Sequence, residues 1–132
     1  MLKIYVDAAT KNQSGPSAAG IFFKAEKKTH TYGVTLGEMT NHEAEFLAVI
    51  HGLKILLEQH LEKETIFMYS DSKVVVETWQ KKASANPLFQ PLWQRLSFLL
   101  EKFPDFTLTW QSDKKNAGAH TIAQQTLRKM RS

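Results

Sequence analysis

Apolar residues recur along this chain at two distinct periods, and the switches between them divide it into elements. Leu2 to Asp7 alternates as a strand does, and a loop of turn formers, Lys11-Asn12-Gln13-Ser14-Gly15-Pro16-Ser17, follows. Ala18 to Ala25 and Thr29 to Leu36 read as two more strands around the polar turn Glu26-Lys27-Lys28. Three strands on short turns predict an antiparallel meander rather than a β-α-β opening. Thr40-Asn41-His42-Glu43 has capping-box form, with Thr40 as N-cap and Glu43 three residues on. Phe46, Ile50, Leu53 and Leu57 then fall at helical spacing, so a helix is expected to run to about His60.

The second half mixes strand and helix patterns. Thr65 to Ser70 is a β-rich apolar run suited to a central strand, and Ser72 to Lys82 sets Val75, Val76 and Trp79 on one helical face. Asn86-Pro87 interrupts the pattern, and Pro91 suits the first residue of a helix that buries Leu92, Leu96, Leu99 and Leu100 and ends before Pro104. Phe106, Leu108 and Trp110 alternate with Thr107, Thr109 and Gln111 as a fifth strand. Ser112 to Gly118 reads as a polar loop. The last helix carries Ala119, Ile122, Ala123, Thr126, Leu127 and Met130 along one side. The order is β-β-β-α-β-α-α-β-α, an α/β chain expected to form one domain over residues 1–132. Trp79, Trp93 and Trp110 fall on apolar faces and are expected in the core rather than as stacking platforms.

Composition narrows the class only a little. A chain of 132 residues, 42% hydrophobic and 23% charged, can bury a core without staples. It has no cysteine, which excludes disulfides and thiolate metal sites. The apolar N-terminal run is too short for a signal segment and contains Lys3. No stretch approaches the roughly 20 apolar residues of a membrane span. A cytoplasmic monomer with no membrane association and no obligate protein partner is therefore expected. The net charge of +4 suits a polyanionic partner.

The chemistry concentrates at four positions. Asp7 and Asp71 each end an apolar strand run, Glu45 lies in the first turns of the long helix, and His120 lies near the start of the last one. Side chains at strand carboxyl ends and helix starts converge at one edge of an α/β sheet. Convergent carboxylates repel unless they hold a divalent cation, and oxygen-rich sites suit Mg²⁺ or Mn²⁺. These residues point to cation-dependent phosphoryl transfer. Taken singly, each has an ordinary reading: Asp7 as a loop cap, Glu45 as a first-turn acid favoured by the helix dipole, Asp71-Ser72 as an N-cap, and His120 as a surface residue.

Four segments, in order and at matching spacing, resemble the type 1 ribonuclease H family over essentially the whole chain. The first strand with Asp7 and Gly15-Pro16 is similar to the family's opening D-G-x-x-x-x-N-P-G-P element. Residues Thr40 to Ala48 resemble its T-N-N-x-A-E-Y-x-A helix start, and Tyr69-Ser70-Asp71-Ser72 resembles its strand-end S-D-S. Trp110 through Ala123 resembles its W-V-x-x-x-x-N-x-x-A-D-x-L-A segment. The resemblance implies a ribonuclease H-like five-stranded mixed sheet, three antiparallel strands then two parallel, flanked by helices. It also implies metal-dependent endonucleolytic cleavage of the RNA strand of an RNA–DNA hybrid. Asp7, Glu45 and Asp71 match the metal-binding catalytic carboxylates, with His120 as the fourth member and two Mg²⁺ or Mn²⁺ ions held among them. Asn41 matches a polar residue that touches the hybrid backbone, and His42 replaces a second asparagine. Ser72 and Asn116 stand inside matched segments and, with Lys114 and Lys115, are expected to line the substrate.

Three departures qualify the match. His120 stands where the family has its fourth carboxylate, and Ala8 stands where it has glycine. The stretch between Trp79 and Leu92 is too short for the basic helix-and-loop handle of some members. In-line displacement at phosphate benefits from two cations roughly 3.5–4 Å apart. Asp7 is the expected bridge, with Glu45 and Asp71 each holding one side. Imidazole is softer than carboxylate, so a ligating His120 weakens one site for Mg²⁺ and favours Mn²⁺. It could also relay protons near neutral pH. Asp113 in the preceding loop is a substitute acid, and the basic residues Lys114, Lys115, Arg128, Lys129 and Arg131 suit phosphate contacts. The alternative function is a hybrid-binding module with weak or lost catalysis. A proofreading-type exonuclease is disfavoured, since Ala9 stands where those enzymes typically carry a second acid. No Walker-type glycine loop supports an ATPase.

Overall fold

The computed structural model describes residues 1–130, so Arg131 lies outside the described residues. Its elements are β1 (Leu2–Thr10), β2 (Ser14–Ala25), β3 (Lys28–Thr40), α1 (Asn41–Glu58), β4 (Ile66–Ser70), α2 (Lys73–Lys81), α3 (Gln90–Leu100), β5 (Phe106–Trp110) and α4 (Ala117–Lys129). They build one five-stranded mixed sheet in the order β3-β2-β1-β4-β5. The first three strands pair antiparallel, while β4 runs parallel to β1 and β5 parallel to β4. This is the ribonuclease H-like sheet that the sequence implied.

Local chemistry sets the helix starts. Glu43 N donates to Thr40 Oγ1 at 3.3 Å while Thr40 N donates to Glu43 Oε1 at 3.1 Å, so the capping box closes in both directions. Ser72 Oγ accepts from Val75 N at 3.2 Å and begins α2. The core is built by alternation. Leu2, Ile4 and Val6 of β1 join Ile21, Phe23, Ile66 and Met68 against Phe46, Val49, Ile50, Leu53 and Leu56 of α1. On the other face Ala9 and Ala18 meet Ala123 and Leu127 of α4. Among the described residues no helix is long and apolar enough to cross a membrane.

Several boundaries differ from the sequence reading. β1 continues past Asp7 to Thr10, and β2 begins at Ser14, because the antiparallel ladder runs on through Thr10↔Ser17 and Ser14↔Thr40. Gly15 and Pro16 are absorbed into this extension, with a register shift between Ser17 and Ala18. The expected seven-residue loop thus shrinks to positions 11–13. In α3 only Leu96 is fully buried, while Leu92, Leu99 and Leu100 are partly covered. Trp79 and Trp93 pack against the core, but Trp110 is 43% exposed. It shares a face with buried Leu108 and lies past the rim of the core.

Helix α4 lies directly on the sheet backbone. A Cβ on Gly20 would overlap the Ala119 carbonyl oxygen and the Ala123 backbone nitrogen. These are backbone atoms and cannot rotate away. Gly20→Ala is therefore expected to lift α4 and cost about 2–3 kcal/mol, read as a lower thermal unfolding midpoint. An unchanged midpoint would show that the helix seat tolerates a methyl group.

Candidate active site

The site forms where β1 and β4 part. Their parallel pairing ends at Tyr5↔Tyr69, while β1 goes on pairing with β2 through Asp7↔Gly20. Two residues beyond that last parallel pair come Asp7 on β1 and Asp71 after β4, so strand register alone brings both acids to the same level. Asp7 is 4% exposed. The Asp71 carboxyl lies within hydrogen-bond reach of both Asp113 and Asp7. Burial, followed by those two acids, pushes its pKa up to about 9.

Glu45 reaches the same neighbourhood from the second turn of α1. Burial raises its pKa, His42 and the Ser72 hydroxyl offset part of that rise, and the charge of Asp7 adds to it. His42 Nδ1 lies 2.9 Å from Glu45 Oε1, and its ring meets Phe89 edge-on at 5.9 Å. His120 Nδ1 lies 2.8 Å from Asp7 Oδ2, a contact that selects the tautomer donating to the carboxylate. The contacts are pairwise: Asp7 meets His120, Asp71 lies beside Asp7 and Asp113, and Glu45 feels the charge of Asp7 from α1.

The remaining predicted residues divide by exposure. Asn41 and His42 are exposed at the start of α1, and Lys114 and Lys115 are exposed on the loop before α4. Ser72 is 3% exposed and Asn116 is 1% exposed, so both act on the protein itself. Ser72 caps α2 and supports Glu45. Asn116 Nδ2 donates to the Val6 carbonyl at 2.7 Å, locking the residue before Asp7. Because that side chain turns inward, it makes no cap bond to α4, which begins at Ala117, inside the expected loop.

Sequence reasoning missed two supports of the site. Trp110 Nε1 donates to the Asp71 backbone carbonyl at 3.0 Å, and Lys73 Nζ stands 5.2 Å from the Trp110 ring centre. The signal was present in the position of Trp110 at the end of a strand beside the acid-bearing one. Its apolar character pointed to the core instead. The bond between His42 and Glu45 was also legible, since positions three apart share a helix face.

The donor set suits a hard divalent cation. Asp7 and Asp113 face the Asp71 carboxyl, which burial and then these two acids hold protonated near neutral pH, and a cation would relieve the repulsion. Asn116 Oδ1 is also buried without a hydrogen-bond partner among the described residues. As the side chains stand, among the described residues no three Asp, Glu or His close around one point that could hold a metal ion. Asp7 meets His120, Glu45 meets His42, and Asp71 meets Asp113.

Comparison with known proteins agrees with this fold. The profile of a family described as "Reverse transcriptase-like" matches residues 5–126. The "Putative hydrolase EbsB" of Enterococcus faecalis is 37% identical over 129 residues, covering 98% of this chain and 96% of its own. A ribonuclease H of Legionella pneumophila is 26% identical over 88 residues, covering 64% of this chain and 62% of its own. Among solved structures, LC11-RNase H1 in complex with an RNA/DNA hybrid superposes with a TM-score of 0.91 at 24% identity, with both chains covered in full. That likeness is one of fold.

Proposed function

The chain belongs to the reverse transcriptase-like family, a ribonuclease H-like group, and from that premise we propose a divalent-cation-dependent endonuclease that hydrolyses the RNA strand of RNA–DNA hybrids. The observation that carries this reading is the crowding of Asp71 by Asp7 and Asp113. Such repulsion serves no stability purpose and is relieved by cations. The hybrid named with the LC11 structure and the ribonuclease H name of the Legionella relative support the same substrate class.

Asp7, Glu45 and Asp71 would hold Mg²⁺ or Mn²⁺, with His120 or Asp113 completing the set. The chemistry supplied with the cations bound is activation of water and support of the leaving oxygen at the scissile phosphate. The protein's own residues do the positioning. Asn116 fixes β1 through Val6, Trp110 fixes the Asp71 backbone, and the Ser72 hydroxyl steadies Glu45. Asn41 and His42 would meet the hybrid from the exposed start of α1, and Lys114 and Lys115 would meet phosphates from the loop. The unit acts as one domain over residues 1–132.

Cleavage of an end-labelled hybrid, with Mg²⁺ and separately with Mn²⁺, tests the proposal. The expected result is scission of the RNA strand only, faster with Mn²⁺, and binding in chelator that weakens steadily as salt rises. Failure to bind the hybrid at low salt would overturn the nucleic-acid assignment. A second reading rests on the pairing of Asp7 with His120 and Glu45 with His42. It is a hybrid-binding module in which these contacts replace the cations, and it predicts tight binding with no cleavage in either metal.

A further inference from the structure

The sheet carries an aromatic row on the face that α4 only partly covers. Register sets Thr109, Tyr69, Tyr5, Phe22 and Thr31 side by side across all five strands. Tyr5 and Tyr69 stack at 5.1 Å with planes 18° apart, and Phe22 meets Tyr5 at 6.0 Å, tilted 61°. All three rings are partly exposed. α4 packs over β1, β2 and β3, leaving the β4–β5 end of this face to solvent. Two grooves of about 390 and 210 Å³ share Tyr5 and Phe22 as lining. Lys3 and Lys24 flank the first, and Lys115 and Asn116 line the second. Among the described residues no acidic side chain lines either groove.

We propose that this row is a binding platform for single-stranded nucleic acid, separate from the carboxyl cluster. The rings pack on one another, so bases of any sequence would enter the grooves beside Tyr5 and Phe22 and the open side of Tyr69, while the flanking lysines accept the backbone phosphates. The charge is complementary to a polyanion along the whole groove. The row also lies one pleat repeat, about 6.6 Å, below the level of Asp7 and Asp71, so a strand on the platform leads toward the carboxyl cluster. The lysine flanks would admit a protein partner only if it were acidic. The platform stands on its own residues and would bind single strands whether or not the cluster cuts hybrids.

The test is fluorescence anisotropy in chelator with a short labelled oligothymidylate and, in parallel, a blunt-ended RNA–DNA hybrid. The intact protein is expected to bind the oligothymidylate. Lys3→Glu/Lys24→Glu, at two exposed positions, and Tyr5→Thr/Tyr69→Thr should each weaken that binding about tenfold or more while hybrid binding changes little. If the tyrosine variant fails to fold, the lysine variant decides. Undiminished oligothymidylate binding in the lysine variant would overturn the platform. So would an equal loss for hybrid and single strand, which would mean one shared site. An acidic peptide that binds in a Lys3- and Lys24-dependent way where oligothymidylate does not would reassign the face to a protein. Binding of the oligothymidylate with no binding of the hybrid would count against the nuclease reading and leave the platform standing.

Discussion

Asp71→Asn is expected to lower cation-dependent hybrid cleavage by at least about a hundredfold while making the metal-free protein more stable. The two effects share one cause. Asp71 is held against Asp7 and Asp113, and its pKa rises from 3.8 to about 9. The folded state therefore binds this proton more tightly than the unfolded chain does. The stability the group contributes is complete below pH 3.8 and is lost as pH rises toward 9. An amide at this position carries no charge at any pH and can still donate to Asp113. The variant's thermal midpoint should exceed that of the parent by an amount that grows from pH 5 to pH 9. Added Mg²⁺ or Mn²⁺ should reverse the order, because only the parent retains the full set of oxygens. A gap that shrinks with rising pH would show that Asp71 is not crowded in the way described.

Substitution at His120 should separate the two nearest candidates for the fourth ligand. His120→Asp puts a hard anionic oxygen beside Asp7 and is expected to raise Mg²⁺-dependent cleavage and narrow the preference for Mn²⁺ by about tenfold. His120→Ala removes the hydrogen bond between the Asp7 side chain and this imidazole, at 2.8 Å, and should lower cleavage with both metals. Asp113→Asn serves as the counter-test. If the loop acid completes the set, its loss should abolish cleavage and His120→Ala should change little. Steady-state rates for the three variants in each metal decide the question. Better Mg²⁺ activity in the parent than in His120→Asp would show this account of the histidine to be wrong.

The strand and helix order could be read because each element has its own clear period. α1 announces itself through Thr40 and Glu43, and the β1 and β4 runs through their apolar alternation. Strand ends were less legible, since polar residues with Gly15 and Pro16 look like a turn until a neighbour supplies the ladder. The acids Asp7, Glu45 and Asp71 were visible through the segments around them. Asp113 was visible only as a possibility, because nothing in a loop sequence says which way its side chain turns. Trp110 was misplaced because period and apolarity describe a face of a strand, whereas exposure depends on where the covering helix stops. The aromatic row was invisible for a related reason. Tyr5, Phe22 and Tyr69 are far apart in sequence, and only strand register makes them neighbours.

The cluster is assembled from segments far apart in the sequence. Asn116 returns to Val6 across 110 positions and His120 to Asp7 across 113. A nascent chain that has emerged as far as α1 carries Asp7 and Glu45 but lacks Asp71, and its β1 has no partner on the β4 side. Contacts of such long range close late in folding, after the local meander has formed. Folding therefore completes the cluster only once β4 and α4 have joined β1, and a chain truncated before α4 would lack both Asn116 and His120.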